Sequence, residues 1–520
     1  MLHALVKGLD TNRLAFLALT LGAAAVMRVA SPDFYWHLEA GEYIVRNLTL
    51  PQTDPFSYTN EGRPWVAHEW LFQTILYGIH HFFGTFGVAL LTAGASFLSA
   101  YLVYSAAGHV LPGRVPRMAL AVAILLGLLP TALPRPQLAT FVFFALFLSF
   151  LFAAKYRAEP RRLLLAPPIM VLWVNMHGGY VLGLVLLFLF LVLEAWTLRH
   201  RLQEPAPRRH LTWLGGTAVA ALLASAANPD FVSHWLYPFQ VMGMEATKRY
   251  ISEWQSPNFQ MLWGKWYLLL AIAFFAAQAF RSRRPDATEF FVPAALLAAG
   301  FISMRHVPLA ALTWLPFTAA ALSGGPASRP LFPRLQASWE RYRKKGRELG
   351  ALEYRLNWLL LVVLVVLLAA YRTTLAPHRS RVAEIMPVAA TDFLIREGIE
   401  GRMFNTYSFG GYLLHRLYPD QKVFIDGRAD MYGDEFIRDY VTIGSARPGW
   451  ARLMDEYRID YVLCRPQAAI QQVLLERGDF ALVYSDEIAS VLLRRDARFQ
   501  GVINRYTSDG DVAGLRADSG

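Results

Sequence analysis

The sequence predicts a polytopic α-helical membrane protein with about eleven transmembrane helices and a small C-terminal extracytoplasmic α/β domain. Three observations predict it. The 520 residues are 55% hydrophobic and only 17% charged, against about 25% charged in soluble globular proteins. Apolar stretches able to cross about 30 Å of hydrocarbon recur along the first 375 residues. Basic residues gather in alternate loops, as the positive-inside rule requires.

The spans fall near 13–31, 86–107, 116–133, 138–154, 163–175, 179–197, 210–227, 266–280, 289–304, 307–322 and 356–372. The first begins in "LVKGLDTNRLAFLALTLGAAAVM", whose basic start runs on into a full span and reads as a retained helix. The fifth is short and contains Pro167-Pro168. With the N-terminus in the cytoplasm, the inner segments hold Lys7 and Arg13, Arg114 and Arg117, and "KYRAEPRR" (155–162). They continue with "RHRLQEPAPRRH" (199–210), "RSRR" (281–284) and "RYRKKGRELG" (341–350). The outer loops hold only Arg46, Arg63, Arg135, Lys248, Arg249, Lys265 and Arg305. An odd number of spans then leaves residues 376–520 outside. The location expected is the bacterial inner (cytoplasmic) membrane, with a cytoplasmic N-terminus and a periplasmic C-terminal domain.

The net charge of +11 lies in these short loop clusters, where it sets orientation, so nucleic acid is not an expected partner. The lone Cys464 excludes an internal disulfide or a cysteine metal cluster, and in the apolar run "DYVLC" it reads as a core thiol. The domain division follows composition. Residues 1–375 form the transmembrane domain, with a first outer loop (32–85) bearing interfacial helices such as "WVAHEWLFQTILYGIHHFFG". From 376, helical periods alternate with short β-branched runs such as "KVFIDGRADMYG" and "FALVYSD".

Polar residues that demand explanation collect on the outer side. "SPDFYWHLEAGEY" (31–43) follows the first span directly. Asp33 either caps a helix or serves a site; a carboxylate at the membrane edge is costly to leave unpaired. His37 and Glu39 lie within two turns of it, and Asp54 and Glu69 follow before the chain re-enters the membrane. "WVNMHGGY" (173–180) is either a polar turn or a site, with Asn175 and His177 at membrane depth. Arg135 in "LPRPQL" and Arg305-His306 in "SMRHVP" end on the outer side against the charge bias. They anchor headgroups or bind a phosphate. Arg28 reads as a snorkelling residue, and Lys248 and Arg249 are weaker phosphate candidates. "FIDGRADMYG" (424–433) reads as a structural Asp–Arg turn, and "SFGGY" (408–412) lacks the spacing and lysine of a phosphate loop. No His pair has metal-ligand spacing and no nucleophile elbow is present.

A first span, a long outer loop opening on Asp33, amphipathic helices and a second span resemble the GT-C superfamily of integral-membrane glycosyltransferases. The stretch "PDFYWHLEAGEYIVRNLTLPQTDPFSYTNEGRPWVAHEWL" is similar to the opening loop of its bacterial members. The resemblance implies a sugar transfer from a polyprenyl-phosphate-linked donor to an extracytoplasmic lipid, glycan or protein acceptor. It also implies Asp33 as the catalytic residue. The tandem acidic pair of some relatives is missing because Phe34 follows Asp33, so a divalent metal is left open, and a second acid would be Glu39, Asp54 or Glu69.

On this reading Asp33 takes the acceptor hydroxyl proton, oriented through His37 or another loop residue, and the reaction inverts the anomeric carbon. His37, Glu39, Asp54, Glu69, Asn175 and His177 are expected to contact substrate, and Arg135, Arg305 and His306 to meet the phosphate. The alternatives are a lipid-linked glycan transporter and a non-catalytic cell-envelope assembly protein.

Overall fold

A computed structural model describes residues 11–26, 31–111, 114–128, 131–281, 284–323 and 382–507, with residues 358, 359 and 362. Most of the eleventh expected span, the basic segment 341–350, Arg28 and residues 508–520 lie outside the described residues. The chain forms two compact units. The first comprises residues 1–27, 86–239 and 251–375; the second comprises 28–85, 240–250 and 376–520.

Helices dominate the first unit. Among the described residues of the chain, five helices are long and apolar enough to cross a membrane: Trp70–Ala107, Gln137–Arg157, Tyr180–Arg201, Leu262–Ala279 and Met304–Ser323. Pro116–Leu125 and Ala287–Ile302 are shorter apolar helices. Aromatic side chains fill the interior: Phe144, Phe147, Phe152, Phe190 and Phe274 are fully buried, and Phe152 meets Phe317 edge-on at 4.9 Å. The sequence places Pro167-Pro168 inside the fifth span. In the structure a 3₁₀ turn, Pro160–Leu165, leads into a helix that starts at Ala166 and ends at Val174. The prolines thus occupy the first helical turn, where a missing N–H leaves no hydrogen bond unmade.

Two residues of the basic loop clusters, Lys155 and Arg281, are nonetheless enclosed among carboxylates. Lys155 is buried between Glu194 and Asp286, with Asp286 Oδ2 at 2.9 Å. Thr288 Oγ1 donates to Glu194 at 2.6 Å, His210 Nε2 lies 3.2 Å from the same carboxylate, and Arg281 pairs with Glu289 at 2.9 Å. Each carboxylate is therefore met by several donors, the condition for keeping charge in a dry site.

The second unit carries a four-stranded sheet in the order β1-β2-β4-β3, with β1 Met403–Asn405, β2 Tyr461–Cys464, β3 Phe480–Ser485 and β4 Ser490–Arg494. β1 runs parallel to β2; the other neighbours are antiparallel. Cys464 is a buried thiol in β2, and its burial pushes the pKa up to about 12. The linear division at residue 375 and the spatial one differ, because the first outer loop is built into this unit. Ser57 bridges Val423, the backbones of Phe56 and Tyr58 bond to Val423 at 3.3 and 3.2 Å, and Thr59 Oγ1 donates to the Phe424 carbonyl at 2.6 Å. Phe56 and Trp65 from the loop share one core with Leu413, Val423 and Leu463. The expected interfacial helix at 65–84 begins at Trp70 and is continuous with the second span, interrupted only at Gly84 (φ 59°, ψ −157°). Glycine alone adopts that backbone readily.

Candidate functional site

Asp33 lies in the first turn of the helix Pro32–Asn47. Ser31 is the N-cap residue, with extended backbone (φ −126°, ψ 140°), and the helix start has no side-chain cap hydrogen bond. Asp33 is thus the second residue of the helix and not its N-cap residue. Its half-buried carboxylate accepts a hydrogen bond from the Trp36 indole at 3.3 Å. Trp36 stacks in turn on His37, with ring centroids 3.6 Å apart. His37 thus supports Asp33 at one remove, and the contact the loop supplies directly is Trp36. Its position three residues after Asp33 is the sequence signal for that role.

Two glycine features hold this helix start in place. A Cβ on Gly411 would come within 2.4 Å of the Pro32 carbonyl, so only glycine lets the helix Tyr407–Leu417 approach so closely. A Cβ on Gly427 would come within 2.2 Å of Asp33 Oδ1 and 2.4 Å of the Trp36 indole nitrogen. The "SFGGY" and "FIDGRADMYG" stretches, read from sequence as a non-phosphate glycine run and a structural turn, both lie against the Asp33 helix.

Behind Gly427, Arg428 is buried between two carboxylates. It reaches Asp54 at 2.7 Å and Asp426 at 2.6 and 2.8 Å, and lies over the Trp65 ring at 4.6 Å. Asp54 also accepts from the Phe56 and Ser57 backbone amides at 3.0 and 3.2 Å and from the Ser57 hydroxyl. At 2% exposure, and surrounded by these donors, Asp54 fastens the loop.

The remaining loop acids divide similarly. Glu39 is buried and pairs with His415 at 3.1 Å. Glu69 lies 3.7 Å from His37 and 3.5 Å from His68, and His37 also meets the Gln73 amide at 3.3 Å. Burial alone would lower the His68 pKa. The charge and hydrogen bond of Glu69 outweigh it, helped by Asp430 and the Val66 carbonyl, and raise it to about 9. The ring donates from both nitrogens, to Glu69 and to Val66 O at 3.3 Å, as an imidazolium would.

In the first unit, Arg135 and Arg305 converge on one carboxylate. Arg135 pairs with Glu253, and Arg305 lies 3.5 Å from the same group and 4.4 Å over the Trp254 ring. Burial pushes the Glu253 pKa up, but the two guanidiniums outweigh it and hold it below the usual carboxylate range. Glu253 was not singled out from sequence, because its partners lie far away along the chain. His306 Nδ1 is buried with no hydrogen-bond partner among the described residues. Asn175 donates to the Val171 and Ala227 carbonyls, both at 2.8 Å, and so ties two helix ends together. His177 Nδ1 accepts from the Gly179 amide at 3.1 Å and meets Thr140 Oγ1 at 2.7 Å; Thr140 accepts from Trp173 at 2.9 Å. The "WVNMHGGY" stretch is largely bonded within itself and to its helix neighbours. No group of three or more His, Cys, Asp or Glu among the described residues is arranged to hold a metal ion.

No family model matches the sequence, and no curated protein matches it. Solved structures do. The apo structure of ArnT from Cupriavidus metallidurans matches with a TM-score of 0.50 at 15% identity, covering 92% of this chain and 97% of that one. ArnT is a GT-C membrane glycosyltransferase. The chain has a GT-C fold. ArnT bound to undecaprenyl phosphate gives a TM-score of 0.48 at 14% identity, over 92% of this chain and 97% of that chain. The arabinofuranosyltransferase AftD from Mycobacteria gives 0.47 at 15%, over 94% of this chain and 40% of its own length.

Proposed function

We propose that the protein is a membrane glycosyltransferase that moves a sugar from a polyprenyl-phosphate-linked donor to an extracytoplasmic acceptor. The observation that carries this reading is the setting of Asp33: in the first turn of its helix, half-buried, bonded by the Trp36 indole and approached closely by the backbone at Gly427. The GT-C fold supports the reaction class, and ArnT, which shares the fold, has been solved with undecaprenyl phosphate bound.

Asp33 accepts the proton of an acceptor hydroxyl. The hydroxyl oxygen bonds to the anomeric carbon as the bond from that carbon to the lipid phosphate oxygen breaks, inverting its configuration. The phosphate departs as an anion, so no general acid is needed once its charge is met. In the first unit Arg135 and Arg305, which share Glu253, are the cations assigned to that phosphate. The C-terminal residues 376–520 lie on the extracytoplasmic side, together with the loop they pack against.

The test uses the full chain in lipid nanodiscs with a radiolabelled sugar on polyprenyl phosphate and a membrane extract as acceptor. Label leaving the lipid phosphate for an extract component is the expected result. Label that stays on its lipid but crosses the bilayer of proteoliposomes would replace the transferase reading with a transporter.

A further inference from the structure

Several basic residues in the loops of the first unit have partners in their own surroundings. Arg162 pairs with Glu159 at 2.7 Å, Arg201 makes a forked pair with Glu204 at 2.6 and 2.7 Å, and Arg199 bonds the Trp196 carbonyl while lying over its ring. Arg208 and Arg209 differ. Both are exposed, and among the described residues neither guanidinium has an ion-pair or hydrogen-bond partner. Both line a cleft of about 660 Å³ whose other walls include Leu164, Pro167, Trp213 and Gly216. Its apolar side is open: Leu164 is 59% exposed, and Val219 and Leu223 are exposed further along the same helix, Pro205–Ala224. That helix spans about 30 Å and lines the cleft from Pro205 to Ala220, whereas Asn175 bonds Ala227 just beyond its far end. The cleft is thus distinct from the polar stretch around Asn175 and His177.

Two uncompensated guanidiniums above an apolar trough match one ligand chemistry, an anion joined to a hydrocarbon chain. A soluble anion would have no use for the apolar walls, and an uncharged lipid none for the arginine pair. We propose that this cleft binds one anionic phospholipid of the bilayer, its phosphate on Arg208 and Arg209 and an acyl chain along Leu164 and Trp213. The site is separate from the proposed transfer chemistry and stands without it.

The test is native mass spectrometry of the full chain in an uncharged detergent, titrated with phosphatidylglycerol, phosphatidylethanolamine or glycerol 3-phosphate. Wild-type protein retains one phosphatidylglycerol in preference to phosphatidylethanolamine. Arg208→Ala/Arg209→Ala lowers that retention about twentyfold to thirtyfold, at about 1 kcal/mol for each basic residue. Gly216→Leu lowers it as well, since Gly216 lines the cleft and a Cβ there meets no atom within 4 Å. Arg208→Lys/Arg209→Lys retains the lipid and guards against misreading a folding defect in the alanine pair. Equal retention of the two lipids, wild-type retention in the alanine or the leucine variant, or displacement of the lipid by equimolar glycerol 3-phosphate overturns the proposal.

Discussion

Asp33 and Asp54 belong to the same outer loop, and their surroundings differ in kind. Asp54 is 2% exposed and accepts two backbone amides, a hydroxyl and a guanidinium. Asp33 is half-buried in the first turn of a helix and is held by an indole at 3.3 Å. A carboxylate already surrounded by donors lowers its own energy and has no lone pair to offer a substrate. Asp33 is less enclosed, and it is the carboxylate proposed to accept a proton. The comparison teaches that an acidic residue in such a loop is classified by how its oxygens are occupied, and spacing along the chain does not reveal that.

The comparison breaks most visibly at Arg428. Arg428→Ala strands Asp54 and Asp426 without their cation, and removing one partner of a buried ionic cluster destabilises by about 3–5 kcal/mol. Denaturant unfolding of the purified protein should show a loss of that size, and a loss below about 1 kcal/mol would mean that the cluster is not the fastening described here. Gly427→Ala sharpens the same contrast from the Asp33 side. The added methyl displaces the Asp33 carboxylate, and a misplacement of about 1 Å costs on the order of a hundredfold in rate while leaving the melting temperature nearly unchanged.

Arg305→Ala should weaken use of the lipid-phosphate donor by about tenfold to a hundredfold, the loss of one charge-assisted contact worth about 1.5–3 kcal/mol. Initial rates against donor and acceptor concentration separate the two, and equal losses for both would make Arg305 a headgroup anchor. The smallest effect concerns His68. Its pKa is raised from 6.5 to about 9 on folding, so its contribution is complete below about pH 6.5 and disappears as pH climbs through about 9. Melting temperature should decline over that window, and His68→Gln should flatten the decline.

Much of this was legible in the sequence where the cause is local. The helix start at Pro32 follows from Ser31-Pro32-Asp33, and the Asp426–Arg428 turn from two residues that meet at 2.8 Å two positions apart. The unreadable part is long-range. Asp54 meets Arg428 across 374 positions, and Arg135 meets Glu253 across 118. Nothing in the composition of the loop indicates that Asp54 is sealed by a cation from the C-terminal region. Gly411 and Gly427 were likewise unreadable as spacers, because what they make room for lies in another part of the chain.

The central claim is tested most directly by comparing Asp33→Asn with Asp54→Asn, each purified and assayed for sugar transfer and thermal stability together. Asparagine keeps the size of aspartate and removes the charge and basicity. Asp33→Asn should melt like the wild-type protein while transfer falls by roughly two to four orders of magnitude. Asp54→Asn should lower the melting temperature and, once folded, retain transfer. Full transfer by Asp33→Asn, or a rate loss confined to Asp54→Asn, would contradict the account.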